Sequence, residues 1–284
     1  DGVLIISFTN ATVEDLKKSL IPIGVSPENC MTLHKFAVKH NHDKSRHVLD
    51  MLEISELSQI SKSTSIGFDD LCNFFSATTF DQMIARFVSY AKSNPTYLKD
   101  KLSAYSVLIV DEYQDFNKNE QELIDLLVGV MSESYILGDD DQCIYDFKDA
   151  DNDKIISLHS DPSHEKLEHE HKCYRCPDCV VDSATKLIKN NTKRVDKKWE
   201  KTGKTGTIVQ KQFPSNADTA DYILDEVQKV LGASTDEKVL ILSPVRFLVE
   251  NLTNRLDGSG IDYKHYFVAK VEPEIIRKSW VLRT

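Results

Sequence analysis

The feature that most restricts this fold is Val107-Leu108-Ile109-Val110, an unbroken apolar run that follows Ser106 and stops abruptly at Asp111-Glu112. A half-solvated strand alternates apolar and polar residues, whereas a strand apolar at every position is expected in a parallel sheet buried on both faces. Parallel neighbours need crossover connections, which makes the expected fold class α/β. The arrangement recurs once. Asn117 stands as an N-cap before the helical pattern Leu123, Ile124, Leu126, Leu127 and Val130, and Tyr135-Ile136-Leu137 is then a second strand, ending in Gly138-Asp139-Asp140-Asp141. Two successive strands thus end in acidic loops on one edge, where open α/β sheets bind ligands.

Upstream, Val3 to Phe8 reads as a strand and Thr12, with Asp15 three residues on, as the N-cap of a helix to Leu20. From about 40 to 105 the apolar residues fall at helical spacing, with breaks at Ser61–Ser65 and Asn94-Pro95, so an all-helical insertion is expected. Beyond residue 205, strands at Thr207–Phe213, Lys238–Leu242 and Asp262–Phe267 are expected to alternate with helices at Ala217–Leu231 and Val245–Leu256. Two α/β units joined near residue 205 account for the whole pattern.

Composition narrows the partners. The 284 residues are 40% hydrophobic and 28% charged, which argues against wholesale disorder. No apolar run approaches the roughly 18 residues of a membrane span, so no membrane partner is expected. The net charge of −10 speaks against a polyanion until it is resolved along the chain. Residues 111–153 hold fourteen acids and two bases, while residues 172–211 hold eleven bases and four acids. Six cysteines without a signal segment suggest free thiols in a reducing, cytoplasmic setting, and the strand-like start at Val3 suggests an interior piece of a longer chain.

Adjacent carboxylates after a buried strand suit a Mg-nucleotide enzyme, one to hold hydrated Mg²⁺ and its neighbour to orient and deprotonate a water. Alone, Asp111-Glu112 could equally be a solvated turn. Its company is more specific: Asp111-Glu112-Tyr113-Gln114-Asp115, then Gly138-Asp139-Asp140-Asp141-Gln142-Cys143-Ile144-Tyr145-Asp146-Phe147-Lys148-Asp149-Ala150. These stretches resemble the Walker B element and motif III of the superfamily 1 DNA helicases of the UvrD, Rep and PcrA type. Ser7-Phe8-Thr9-Asn10 is similar to motif Ia, Thr32-Leu33-His34-Lys35-Phe36 to the Thr-x-His-x-Phe element, and Lys172-Cys173-Tyr174-Arg175-Cys176-Pro177 to motif IV.

The resemblance implies two RecA-like P-loop NTPase-type domains with parallel sheets and a short helical insertion. Residues 1–205 would be a 1A remnant with a 1B-like insertion at about 40–105 and motif IV near 172–177; residues 206–284 would be part of 2A. It implies ATP and Mg²⁺ as cofactors and single-stranded DNA as partner. Asp111 would hold Mg²⁺ through water, Glu112 would be the general base and Gln142 the γ-phosphate sensor. Tyr174 would stack near the nucleotide base and Arg175 would stabilise charge on the transferring phosphoryl group. Phe8, Asn10, His34, Tyr145, Phe147 and Lys148 would lie along the DNA, where aromatic faces accept any base.

The chain departs from the family at several points. Lys148-Asp149 replaces Arg-Gly, Ala11-Thr12 replaces Lys-Ala, the insertion is short for 1B, and neither a 2B subdomain nor motifs V and VI are visible. The family's P-loop is expected just upstream of residue 1, so either the sequence begins after it or the protein lacks one. Gly203-Lys204-Thr205 lacks the glycine five residues earlier, where Lys198 stands, and has no preceding buried strand. These departures keep a second reading open, a helicase-derived subunit of a nuclease-partnered complex without its own ATPase. Cys173, Cys176 and Cys179, preceded by His164, His169 and His171, are also a formal metal pattern, which competes with motif IV. The bases from Lys186 to Lys204 would form either a phosphate track or a solvated face, and His40 and His42 are expected on the surface.

Overall fold

The computed structural model describes residues 2–145, 150–167, 171–234 and 237–264. Strand β1 (Val3–Ser7) leads into helix α1 (Asn10–Leu20), and β2 (Cys30–Thr32) leads directly into α2 (Leu33–His40). Thr9, not Thr12, caps α1: its hydroxyl accepts from the Thr12 N–H at 3.1 Å. Thr12 belongs to the first turn, and its Oγ1 lies 2.7 Å from that of Thr9.

The inserted region contains β3 (His47–Val48), α3 (Met51–Ser63), α4 (Phe68–Phe74), β4 (Ala77–Thr78), α5 (Phe80–Ser93) and α6 (Pro95–Lys101). It is mainly helical, but β3 and β4 pair in parallel, which corrects the all-helical expectation. Two-residue strands carry too few side chains for an alternation to register in sequence. Asp50 with Glu53, and Thr79 with Gln82, close reciprocal capping boxes on α3 and α5.

Next come β5 (Val107–Val110), α7 (Lys118–Val128), β6 (Glu133–Ile136), α8 (Asp153–Ser160) and α9 (Asp178–Ile188). The main sheet has the order β2-β1-β5-β6 and is parallel throughout, so the ends of β1, β5 and β6 share one edge. Its inner face carries the principal core. Leu4, Ile6, Leu108 and Val110 are fully buried there against Phe36, Ile84, Phe87, Leu123 and Leu127, and each such side chain contributes roughly 1.5–3 kcal/mol. On the opposite face, α1 covers Ile5 and Cys30 through Val13, and Ile109 is only half-buried. The two faces of β5 are therefore covered unequally.

The chain divides into two compact units, residues 1–206 and 207–284. The second holds α10 (Asn216–Ala233) and α11 (Glu250–Asp257), packed through Ala220, Leu252 and Leu256 and tied by Arg255 to Asp221. Among its described residues no strand forms, contrary to expectation at 207–213 and 238–242; part of the strand expected at 262–267 lies outside the described residues. A strand persists only where its backbone finds a ladder partner, and Val209 and Leu242 are 65% and 82% exposed.

Candidate active site

Three chain segments meet at the carboxyl edge of the main sheet. From β5 the chain passes through Asp111, whose N–H bonds the Ile6 carbonyl at 2.9 Å. Glu112 then adopts a left-handed backbone, φ 57° and ψ 45°, a conformation that costs about 1–2 kcal/mol for a residue with a Cβ. It turns the chain sharply, so that Tyr113 N–H reaches the Leu137 carbonyl beyond β6 at 3.0 Å.

The fixed point between the loops is Gln114, which is 1% exposed. Its amide nitrogen donates to Glu112 Oε2 at 2.7 Å, and its amide oxygen accepts the Asp139 N–H at 3.0 Å. Gln142 in turn donates to Asp139 Oδ2 at 2.7 Å. Gly138 makes this closeness possible: a Cβ there would lie 2.5 Å from Ile155 Cδ1 and 2.6 Å from Gln114 Oε1. Glu112, Gln142 and, through the backbone, Asp111 thus share one hydrogen-bonded assembly. Burial, followed by repulsion from Glu112, raises the Asp111 carboxyl above its ordinary value.

Asp139, Asp140 and Asp141 lie close enough together to resemble a metal-ligand set. Lys197 fills that role instead, its ammonium pairing with Asp139, with Asp140 and, at 3.1 Å, with Asp141. Arg194 adds a two-pronged contact to Asp141, at 2.9 and 2.8 Å, and Val195 N–H donates to Asp140 Oδ2 at 2.8 Å. Burial pushes the Asp141 carboxyl up, but the Arg194 and Lys197 bonds outweigh it and hold the group below its usual range. Lys193 and Lys201 pair with Asp153 and Asp182, both at 2.8 Å, and Lys204 donates to the Tyr174 carbonyl. Much of the basic run is therefore engaged within the protein. Lys204 belongs to no phosphate-binding loop, since no helix opens directly after it and the next begins only at Asn216.

The residues expected along a strand of DNA are only partly gathered. The Phe8 ring lies 5.1 Å from Tyr145 and 5.4 Å from Phe116. Asn10 is exposed at the start of α1. His34 packs on Phe80, 4.6 Å between rings, and its Nε2 lies 3.1 Å from the buried Glu120 carboxylate. Phe147, Lys148 and His169 lie outside the described residues. Tyr174 and Arg175 are exposed on a separate loop ahead of α9, with Lys172 5.6 Å above the Tyr174 ring.

Cys173, Cys176 and Cys179 are free thiols, and among the described residues they do not form a group of three metal ligands. His40 corrects another expectation. It is half-buried against Phe36, and burial lowers its pKa to about 4, whereas His42 is exposed and stacks 3.8 Å from Tyr90.

The sequence assigned no role to Gln114 or Glu120, and took Arg194 and Lys197 only as members of a basic run that would track phosphates or face solvent. Gln114 could have been found as the buried-type residue that the Asp-Glu-x-Gln-Asp pattern keeps beside its carboxylates. Glu120 has its capping partner Asn117 only three residues away, but its contact with His34, like those of Arg194 and Lys197 with the acidic loop, joins residues far apart in the chain and left no local signal.

The family model for the UvrD/REP helicase N-terminal domain matches residues 40–163. Among curated proteins the chain is similar to the ATP-dependent DNA helicase PcrA of Leuconostoc citreum, 28% identical over 174 residues, or 61% of this chain and 22% of that protein. It is also similar to the ATP-dependent DNA helicases PcrA of Staphylococcus epidermidis and Staphylococcus aureus, each 27% identical over 173 residues, or 61% of this chain and 24% of theirs. The chain thus spans less than a quarter of the length of these relatives. Among the described residues no helix is long and apolar enough to cross a membrane.

Proposed function

Taking the chain as a member of the UvrD/Rep/PcrA-type superfamily 1 helicases, we propose that its full-length protein is an ATP-dependent single-stranded DNA translocase and helicase. The observation that carries this reading is the Gln114 bridge. One buried amide ties the loop of Asp111 and Glu112 to the loop of Asp139 and Gln142, so groups suited to a nucleotide and its attacking water sit on one frame. Residues 1–206 would be the 1A domain with its insertion, and residues 207–284 part of 2A.

The donor set suits hydrated Mg²⁺. Asp111 is a half-buried carboxylate that burial, and then Glu112, push toward protonation, and a hard cation held through water would supply the missing countercharge. When bound, Mg²⁺ neutralises charge on the phosphates. Glu112 would take a proton from the attacking water, while Gln114 keeps its carboxylate oriented. Gln142 would contact the γ-phosphate, Tyr174 the base, and Arg175 the charge that develops on the transferring group. Phe8, His34 and Tyr145, with Asn10, Phe147 and Lys148, would form the DNA track, stacking with bases without preference among them.

In the full-length protein, DNA-stimulated ATP hydrolysis is expected. Glu112→Gln should retain ATP binding and lose about 10²–10⁴-fold in turnover, as removal of a general base does. Absence of any nucleotide binding would sink the reading. The second reading, a helicase-derived subunit serving a nuclease, draws on the short insertion, the absent second insertion and the altered motif III, and on Ala11, which stands where the family carries a phosphate-neutralising lysine. Co-purification with a nuclease would favour it, and strand separation by the full-length protein alone would exclude it.

A further inference from the structure

Residues 194–204, beyond α9, form neither helix nor strand, and their regular pairing is an isolated parallel bridge of Glu200 with Lys172. Polar bonds anchor the segment at two ends. At the first, Lys197 pairs with Asp139 and Asp140 on the loop after β6, and Arg194 holds Asp141 by bonds at 2.9 and 2.8 Å. Lys197 takes Asp139 Oδ1, while Gln142 donates to Oδ2 of the same carboxylate at 2.7 Å. One side chain therefore stands between Lys197 and Gln142.

At the second end the segment lies against the loop of Tyr174 and Arg175. Glu200 N–H donates to the His171 carbonyl at 2.6 Å and Thr202 N–H to Asp178 Oδ1 at 3.2 Å. In return Asp178 N–H donates to the Lys204 carbonyl at 2.9 Å, and the Lys204 ammonium donates to the Tyr174 carbonyl. A chain spans at most about 3.3–3.6 Å per residue, so a connection as short as that from Lys197 to Lys204, held at both ends, has little slack to absorb a displacement.

We propose that residues 194–204 are a strap that sets the position of the Gln142 loop relative to the loop of Tyr174 and Arg175, with Lys197 and Lys204 as positioning residues at its two ends. Their role in turnover rests on the proposed ATPase reading, in which Gln142 meets the γ-phosphate and Tyr174 and Arg175 meet the base and the transferring group. Neither lysine touches the nucleotide there; each fixes a residue that does. Displacing such a group by about 1 Å can cost about 10²-fold in rate.

The strap can be tested without turnover. Amide hydrogen exchange is followed in the full-length protein, in peptides covering 138–143 and 171–178, with α7 as internal reference. Lys204→Met cuts the second end and should speed exchange severalfold at 138–143 as well as at 171–178. Lys197→Met cuts the first end and should speed exchange at 171–178 as well as at 138–143. Lys193→Met, which removes the neighbouring pair with Asp153, should leave both peptides unchanged. Faster exchange confined to whichever end was cut would overturn the proposal, because two independent contacts transmit nothing. So would a Lys193→Met effect equal to that of Lys197→Met.

Where the two ends respond together, the kinetics should differ by end. Lys197→Met should lower DNA-stimulated kcat about tenfold with KM for ATP nearly unchanged, whereas Lys204→Met should raise KM as well, because Tyr174 meets the base. Lys197→Arg keeps the charge and should recover most of the Lys197→Met loss. Unchanged kcat in both Met variants would overturn the positioning role. Coupled exchange in a parent protein that hydrolyses no ATP would refute the enzymatic reading and leave the strap standing.

Discussion

Asp111 illustrates how a residue suited to chemistry can weigh against the fold that holds it. Its folded pKa lies above the ordinary 3.8 because of burial and then Glu112. Between those two values the folded protein binds more protons than the unfolded chain, so stability falls as pH rises through the window. Asp111→Asn keeps the shape and removes the charge. Urea midpoints measured against pH should place this variant above the parent at pH 7, with the difference vanishing below 3.8; an equal or lower midpoint at pH 7 would contradict the argument. The position of Asp111 and Glu112 was legible from the apolar run that ends at them. The left-handed turn at Glu112 was not, since nothing in Val110-Asp111-Glu112-Tyr113 marks a positive φ in the way glycine or asparagine would. Gly138 was visible only as a strand terminator, whereas the structure uses it to bring Gln114 within bonding distance of the next loop.

At the scale of elements, the segment from Lys193 to Lys197 binds back onto the loop after β6. Lys197 is 8% exposed among three carboxylates, and removing one partner of a buried ion cluster leaves the others unpaired in a poor solvent. Lys197→Met should therefore destabilise the first unit by about 3–5 kcal/mol in urea unfolding, and a loss under 1 kcal/mol would mean that the carboxylates are solvated after all. A charge run gives no such hint in sequence, because contacts across more than fifty residues leave no periodic trace. Helix starts were more accessible. Asn117 caps α7 as expected, its side chain accepting the Glu120 N–H, while at α1 two threonines compete and the one nearer the strand takes the cap. The β3–β4 pair escaped notice because each strand ends after two residues.

The molecule as a whole is uneven in its burial. The first unit encloses a core running from Leu4 to Leu127, whereas the second, among its described residues, buries only Ala220, Val227, Leu252 and Leu256 of its apolar side chains. Calorimetry of the 284-residue chain should therefore record a small transition of the second unit below the main one, and a single cooperative peak would argue otherwise. The alternation of segments beyond residue 205 was readable, but their strand character depends on pairing, which single-segment patterning cannot supply.

The pairing of the basic run with acids has a consequence for any nucleic acid the protein meets. Affinity for a polyanion gains from counterions released when protein cations replace them along the phosphates. Lys193, Arg194, Lys197 and Lys201 already have carboxylates for neighbours. They would have to give these up before releasing a single sodium ion, so the salt sensitivity of binding is set by the lysines and arginines outside this internal pairing rather than by the density of the basic run.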